Sequence, residues 1–204
     1  MGLEQYRITE QTEKESLTFY NKSNQPIGIV NREDAIKKGL LVEGVQLWII
    51  NPDTNQVLMQ RRNKNKKNNP EKIDVSVSGH VKPYETPTQA ILREASEEIG
   101  IVDSQILYSK MQKIAQSHID LTKYGRHGNY IMTFFLAFLN DSLDMYTKNE
   151  EVEQLFFMDY EELKRRVRKE DSEMLIPNSD KTELIFSILD DKIKNLEKRE
   201  EEQR

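Results

Sequence analysis

The first half of the chain alternates apolar and polar stretches in a pattern that predicts short strands joined by turns. In order, these are LTFYNKSNQPIGIV (17–30), two strands around a turn; REDAIKKGL, a short helix; GVQLWII, a strand; VLMQRR, its antiparallel partner across the turn NPDTNQ; the polar loop KNKKNNPEK; and IDVSVSG (73–79), whose alternation predicts a strand with one solvated face.

The second half predicts longer elements. They are a helix at about 87–99, a strand near 105–116, a polar loop at 117–128, the apolar run YIMTFFLAFL, a strand, a turn and a helix in EVEQLFFMDYEELKRRVRKE, and a helix from Lys181 with the apolar face Leu184, Ile185, Ile188, Leu189, Ile193 and Leu196. Strands and helices interleave without a strict βαβ rhythm. This order predicts an α/β fold in which helices cover a mixed sheet.

Composition bounds the class of protein. With 204 residues, of which 36% are hydrophobic, the chain suits one domain with appendages. We predict a hairpin and short helix over 1–40 packed on a core domain over 41–177, then a C-terminal helix and charged tail over 178–204. The chain has no cysteine, which excludes disulfides and a thiol nucleophile and favours a cytoplasmic location. We expect no membrane span and no signal peptide.

An acidic cluster raises the first question of function. On a helical wheel the apolar face of the helix at 87–99 is formed by Ile91, Leu92, Ala95 and Ile99. Glu94, Glu97 and Glu98 fall on a separate arc. The like-charge pair Glu94 and Glu98 destabilises an isolated helix by roughly 0.2–0.5 kcal/mol, so helix stability does not explain it. Carboxylate oxygens suit Mg²⁺ or Mn²⁺, and a divalent cation would offset the repulsion.

Three neighbours of the cluster fit the same interpretation. Arg93 can pair with an adjacent carboxylate and hold its orientation, and Glu85 could reach Arg93 from the loop before the helix. Gly79 has no side chain, so a ligand can approach its backbone closely, and its carbonyl could serve as a ligand. The alternative is that REASEE is only a solvated helix face.

The spacing of the whole segment decides between these interpretations. The order is Gly79, five residues, Glu85, seven residues, Arg93, Glu94, Ala95, one residue, Glu97, Glu98, one residue, Gly100, Ile101. This pattern resembles the Nudix box at every fixed position, with Ala95 where a larger aliphatic residue is usual. A match over 23 residues is far more specific than a short motif.

The resemblance implies a Nudix fold, an α/β/α sandwich with a mixed β-sheet, and a pyrophosphohydrolase that uses Mg²⁺ or Mn²⁺. It implies that Glu97 and Glu98 are the main metal ligands, helped by the carbonyl of Gly79. Glu94 would be a further ligand or would orient the attacking water, while Glu85 and Arg93 would brace the loop. The substrate would be a small nucleoside diphosphate linked to another group.

The general base of such enzymes varies in position. The segment NEEVEQLFFMD resembles one found in this family, so Glu150, Glu151 or Glu153 could complete the site, and Glu151 is the first choice. A charged strand edge is the alternative. His118 and His127 lie in the predicted polar loop, where a lid or base could lie, although a loop histidine is more often solvated.

A narrower resemblance covers most of the first 100 residues. FYNKSNQPIGIVNRE, VLMQRRNKNKK and SVSGH are similar to Nudix proteins related to isopentenyl-diphosphate isomerase. That resemblance implies that Arg61, Arg62, Lys66 and Lys67 lie near the diphosphate, where cations favour binding. A solvated basic loop is the alternative.

The isomerase activity itself is not expected. That enzyme uses a cysteine immediately before the Gly-His pair and a metal-binding histidine on an upstream strand. Here Ser78 occupies the first position, and only Val42 and Glu43 lie near the second. His80 is therefore interpreted as structural rather than catalytic.

The sequence thus predicts a Mg²⁺-dependent hydrolase that cleaves a diphosphate bond by water attack. The alternatives are a non-catalytic ligand sensor and an enzyme that trims RNA 5′ ends. The net charge of −5 argues against nucleic acid as a partner, despite the basic run RRNKNKK. The C-terminal helix could form a homodimer, or its apolar face could pack on its own sheet.

Overall fold

The computed structural model describes residues 16–101, 103–124 and 128–203. The predictions for residues 1–15 and for His127 lie outside these ranges. The helices and strands are β1 Ser16–Tyr20, β2 Pro26–Asn31, α1 Arg32–Lys37, β3 Leu41–Asn51, β4 Gln56–Arg62, β5 Ile73–Asp74, β6 Val77–His80, α2 Pro87–Ile99, α3 Ser104–Lys110, β7 Met111–Asp120, β8 Asn129–Phe138, β9 Val152–Asp159, α4 Tyr160–Arg168 and α5 Asp180–Gln203. Short 3-10 turns cover Leu121–Tyr124 and Leu143–Met145.

One mixed sheet contains the strands, and β3 organises it. Along one edge, β3 pairs in parallel with β8 over residues 41–50. Its other edge pairs in succession with β1, β6 and β4, all antiparallel. The 11 residues of β3 make this possible, because a shorter strand would not reach three partners on one edge. β7 extends the sheet beyond β8, and β9 and β5 pair with β4.

Both faces of the sheet are buried. Val45, Leu47 and Ile49 pack with the apolar residues of α2 and α3 on one face. Trp48 and Ile50 pack with α4 and α5 on the other. Alternate residues of a strand point to opposite faces, so a run as apolar as GVQLWII requires helices on both sides. The α/β/α sandwich with a mixed sheet is therefore confirmed.

Helix α2 covers Pro87–Ile99, the range that the sequence predicts. The Thr86 side chain accepts from the backbone N–H of Gln89, and Pro87 follows the cap. Gly100 ends the helix with a φ of +71°, and a Cβ there would lie 1.8 Å from Thr147 Oγ1. The conformation and the close contact both require glycine.

The predicted strand near 105–116 is wrong in its first half. Residues 104–110 form α3, because the Asp103 side chain accepts from the backbone N–H groups of Gln105 and Ile106 and caps a helix. Leu107 then packs into the core beside α2. The strand begins at Met111 and continues to Asp120, inside the predicted polar loop, because β8 supplies backbone partners over that length.

The segment IDVSVSG is not one half-solvated strand. It divides into β5 and β6, and residues 73–77 are buried throughout. The Ser76 hydroxyl donates to the carbonyl of Leu58 (2.6 Å) and accepts from the N–H of Ile49 (2.9 Å). Polar and apolar residues do alternate here, but the polar side chains form hydrogen bonds with backbone groups instead of facing water.

Helix α5 packs its apolar residues on its own sheet. Ile185, Phe186 and Leu189 are buried, and the Phe186 ring meets Trp48 edge-on at 6.1 Å between centroids. Leu184, predicted on the same face, is 50% exposed. None of the described helices combines the length and the apolar character that crossing a membrane requires.

Candidate active site

The carboxylate of Glu94 lies directly against the backbone of Gly79. A Cβ placed on Gly79 would lie 2.2 Å from both Cδ and Oε1 of Glu94. Gly79 belongs to β6, where it pairs with Val45 of β3, while Glu94 lies on α2. The glycine therefore lets the acidic helix approach the sheet edge, so its role in the structure is to accommodate Glu94.

Arg93 binds two segments around this contact. Its Nε and Nη2 donate to the two carboxylate oxygens of Glu85, each at 2.9 Å, and Nη2 also donates to the carbonyl of His80 at 3.0 Å. Its Nη1 donates to Glu94 Oε1 at 2.8 Å. Glu85 also accepts from the backbone N–H of Lys82. The predicted bracing contact between Glu85 and Arg93 is thus present in the structure.

The ionisation of the two partners follows from these contacts. Burial acts to raise the pKa of Glu85, but hydrogen bonds from Arg93 and from the Lys82 backbone outweigh it, and the pKa lies below its ordinary value. Burial acts to lower the pKa of Arg93, and the hydrogen bond to Glu85 and the charge of Glu94 raise it overall. Both side chains are therefore charged at neutral pH.

Glu98 occupies a different environment from its neighbours. The residue is only 4% exposed, and its Oε2 accepts from Gln60 Nε2 at 2.9 Å and from the Ser78 N–H at 3.1 Å. Burial, assisted by the charge of Glu94, raises the pKa of Glu98 to about 8. The sequence predicted one acidic arc, but the structure buries Glu98 among the apolar residues of α2.

Glu94 and Glu97 complete the acidic group. Burial raises the pKa of Glu94 above its usual value, against the opposing effect of Arg93. The Glu97 side chain is 52% exposed and receives a hydrogen bond from Arg93 Nη1 at 3.3 Å. Within the part of the chain that the structure describes, no three carboxylate or imidazole side chains converge closely enough to hold one metal ion.

A cavity of about 540 Å³ opens beside these carboxylates, a size typical of small-molecule sites. Gly79, Glu94 and Glu98 line one part of it. Strands β3 and β8 form another part of the wall with the face that they turn toward α5. Further parts come from α1, the loop after β4, the end of β7 and residues 175–182. The cavity therefore combines carboxylates, cations and an apolar surface.

Two of the four predicted cations line this cavity. Arg62 donates to the carbonyls of Asn69 (3.2 Å) and Asn68 (3.3 Å) and lies 3.6 Å from Asp74 Oδ2, so it also holds the loop after β4. Lys66 lines the cavity and pairs with Glu151 at 2.5 Å.

The other two cations are held elsewhere. Arg61 donates to the Glu71 carbonyl at 2.8 Å and pairs with Glu173, and Lys67 pairs with Glu33 on α1 at 2.6 Å. Neither residue lines the cavity.

Of the three candidate bases, Glu151 lines the cavity, whereas Glu150 and Glu153 do not. Burial acts to raise the pKa of Glu151, but the hydrogen bond and charge of Lys66, with the charges of Arg32 and Arg62, lower it overall. His118 also lines the cavity, where its Nε2 lies 2.7 Å from Asn24 Oδ1 in the turn between β1 and β2.

Sequence reasoning did not single out Arg32. It begins α1 and lines the cavity, and over the described residues it has no ion pair and no side-chain hydrogen bond. Its signal was present in the stretch FYNKSNQPIGIVNRE, where a cation follows the second strand. Gln60, which orients the Glu98 carboxyl, was also missed, because a polar residue on a strand is normally expected to face water.

Comparison with known proteins gives a family match. The family model for the NUDIX domain matches residues 41–177. The curated protein Nudix hydrolase 3 of Arabidopsis thaliana is 25% identical over 161 residues, which is 78% of this chain and 21% of that protein. This chain therefore spans about a fifth of the length of that relative.

Two solved structures have a similar fold. The protein DR0079 from Deinococcus radiodurans superposes with a TM-score of 0.64 at 22% identity, covering 85% of this chain and 99% of that one. The second is a bifunctional NMN adenylyltransferase/ADP ribose pyrophosphatase from Francisella tularensis, complexed with AMP and a manganese ion. It superposes with a TM-score of 0.53 at 19% identity, covering 72% of this chain and 41% of that one.

The contact between Gly79 and Glu94 predicts a specific pattern of stability. Gly79→Ala should lower the free energy of unfolding by about 1–3 kcal/mol, because the added methyl group overlaps the carboxylate. Truncation by Glu94→Ala in the same chain should relieve that overlap. Urea denaturation of the two single variants and the double variant measures the coupling. Purely additive losses would contradict the assigned contact.

The burial of Glu98 predicts a pH-dependent stability in EDTA. Below pH 4.5 the carboxyl is protonated in both states, whereas between 4.5 and about 8 only the unfolded chain releases its proton. The folded protein therefore loses stability as the pH rises through this window. Glu98→Gln should remove that loss and raise the melting temperature at pH 8 by about 3 °C or more.

Glu97→Gln is the matched control, because Glu97 is largely exposed. Thermal denaturation of both variants at pH 5 and pH 8 separates the two residues. An equal gain at both pH values would rule out Glu98 burial as the cause.

Proposed function

Since this chain belongs to the NUDIX domain family, we propose that it hydrolyses the diphosphate bond of a small nucleoside-diphosphate-linked substrate with Mg²⁺ or Mn²⁺. One observation carries the proposal: carboxylates and cations line the same cavity. Glu94 and Glu98 meet it on one side, and Arg32, Arg62 and Lys66 also line it. Such a site attracts a metal ion and the phosphates that accompany it.

The donor set of the acidic group suits a hard divalent ion. Glu94, Glu97 and Glu98, with the carbonyl of Gly79, would hold it, and the missing side chain of Gly79 lets the Glu94 carboxylate lie against the backbone that carries this carbonyl. Mg²⁺ keeps several waters and needs only one or two carboxylates, so three convergent side chains are not required. When bound, the ion neutralises phosphate charge and acidifies a water molecule.

The side chains of the protein have distinct tasks in this reaction. Arg93 and Glu85 keep α2 and the loop before it in place, so that Glu94 stays oriented. Arg32, Arg62 and Lys66 bind the diphosphate. The oxygen of a water molecule attacks one phosphorus while the bond from that phosphorus to the bridging oxygen breaks. Glu151, ionised beside Lys66, is the proposed acceptor of the water proton.

One structure of similar fold is consistent with a nucleotide substrate. The Francisella structure contains AMP and a manganese ion, which fits both the metal and the substrate class proposed here. The absence of cysteine supports a cytoplasmic location. We also propose the division into 1–40, 41–177 and 178–204, since β1, β2 and α1 form their own small apolar cluster against the sheet.

The proposed activity predicts that neutralising a carboxylate of the acidic group lowers turnover. A screen with Mg²⁺ should contain nucleoside diphosphate sugars, dinucleoside polyphosphates, nucleoside triphosphates and capped RNA, assayed for new phosphate termini. Glu98→Gln or Glu97→Gln should lower turnover by about 100-fold or more. Glu153→Gln, outside the cavity, is the control.

The alternatives give different outcomes in the same screen. Binding without hydrolysis would favour a ligand sensor. Hydrolysis confined to capped RNA, with affinity falling steeply in added salt, would favour an RNA 5′-end enzyme. Full activity in both Glu→Gln variants would contradict the proposed metal site.

The cations predict a separate effect on affinity. Arg32→Ala should raise KM about tenfold or more with a smaller change in kcat, because its guanidinium lines the cavity without an ion pair over the described residues. Lys38→Ala, next to the same helix and paired with Asp34, is the control for charge. Arg62→Ala should raise KM and also lower the melting temperature, because Arg62 holds the following loop. An unchanged KM in Arg32→Ala would remove Arg32 from the site.

A further inference from the structure

Two buried polar atoms lack a hydrogen-bond partner over the described residues, Trp48 Nε1 and His80 Nε2. Both residues line the cavity described above. A buried donor without a partner is destabilising, and proteins pair nearly all such groups. Both therefore have hydrogen-bonding capacity that the described part of the chain leaves unused beside the cavity.

The two atoms belong to different parts of the cavity. His80 pairs with Gly44 across β6 and β3, beside Gly79, and therefore lies at the end where the diphosphate is proposed to bind. Trp48 lies four residues further along β3, about 13 Å away at the usual rise of a strand. The group attached to the diphosphate would reach Trp48.

The surroundings of Trp48 are apolar. The neighbouring cavity wall includes Phe134, Ile176 and Ile185, which belong with Trp48 to one core cluster. These side chains provide no hydrogen bonds. The part of the ligand that lies here must therefore be largely apolar itself.

The polar groups at the start of α5, close to Ile185 in the chain, are already paired with one another. Thr182 Oγ1 donates to the Pro177 carbonyl at 2.7 Å, and the N–H of Thr182 donates to Ser179 Oγ at 3.1 Å. Their hydrogen-bonding capacity is thus used at the start of α5. The indole N–H of Trp48 is the buried donor left over in this part of the described chain.

We infer that Trp48 is a specificity-determining residue, whose indole N–H donates a hydrogen bond to an acceptor on a flat heterocyclic group of the substrate. A hydrocarbon chain would leave the N–H unpaired, and a sugar would bury several hydroxyls without partners. A heterocyclic base has an apolar face for Phe134 and Ile185 and a ring nitrogen or carbonyl for Trp48. The inference rests on the proposed function, because the phosphates of the same substrate have to lie at the Gly79 end.

The chain contains one tryptophan, so its fluorescence reports on Trp48 alone. The wild-type protein with Mg²⁺ is titrated with AMP, UMP, ribose 5-phosphate and isopentenyl phosphate, none of which contains a cleavable diphosphate. At least one of the two nucleotides should shift the emission with saturation and bind about tenfold or more tightly than ribose 5-phosphate. Absence of any change with both nucleotides, or an equal change with ribose 5-phosphate, overturns the inference.

A variant pair separates the hydrogen bond from packing. Trp48→Phe keeps an aromatic ring and removes the N–H, so calorimetry should show the ratio of affinities for nucleotide over ribose 5-phosphate falling about tenfold. Phe186→Leu disturbs the packing beside the same indole but keeps its N–H, and the ratio should persist. An unchanged ratio in Trp48→Phe overturns the inference. If Trp48→Phe does not fold, the fluorescence titration of the wild-type protein still tests the inference.

The outcomes also distinguish this inference from the function on which it rests. A base-dependent change in emission without any hydrolysis in the screen would leave Trp48 as a ligand contact and defeat the hydrolase. Hydrolysis of base-bearing substrates with an unchanged ratio in Trp48→Phe would defeat the role of Trp48 alone.

Discussion

The guanidinium of Arg93 is the contact on which the rest of the site depends. It binds both oxygens of Glu85, one oxygen of Glu94 and the carbonyl of His80, so it joins the loop before α2, the helix and the sheet edge. Partly buried carboxylates repel each other strongly where water is scarce. A single planar cation with several donors offsets that repulsion and also fixes geometry, which a lysine would not do.

The acidic residues of α2 differ in burial because each meets a different part of the sheet. Gly79 lets Glu94 approach β6, and Gln60 with the Ser78 N–H holds the carboxyl of Glu98 in the interior. Burial of a carboxyl group that is only partly compensated lowers stability. A destabilised arrangement of this kind is typical of functional sites, where the fold maintains groups that local energetics would not favour.

The cavity extends beyond the segment that matches the family. Arg32 and Ile36 come from α1, and Thr182 and Ile185 come from α5, all outside residues 41–177. The acidic residues of α2, in contrast, lie inside it. Under the proposed function, the matched core would provide the metal-binding carboxylates and the flanking segments would shape part of the substrate space.

The sequence by itself determined the bounds of α2, the mixed α/β architecture and the spacing that resembles the Nudix box, because these depend on local periodicity, capping and fixed intervals. Only the tertiary structure decided that Glu98 is buried while Glu97 is exposed, that IDVSVSG is two buried strands, and that Arg32 reaches the cavity. Each of these depends on which distant segment lies opposite a residue. Helical and strand periods define faces, but they do not say what covers a face.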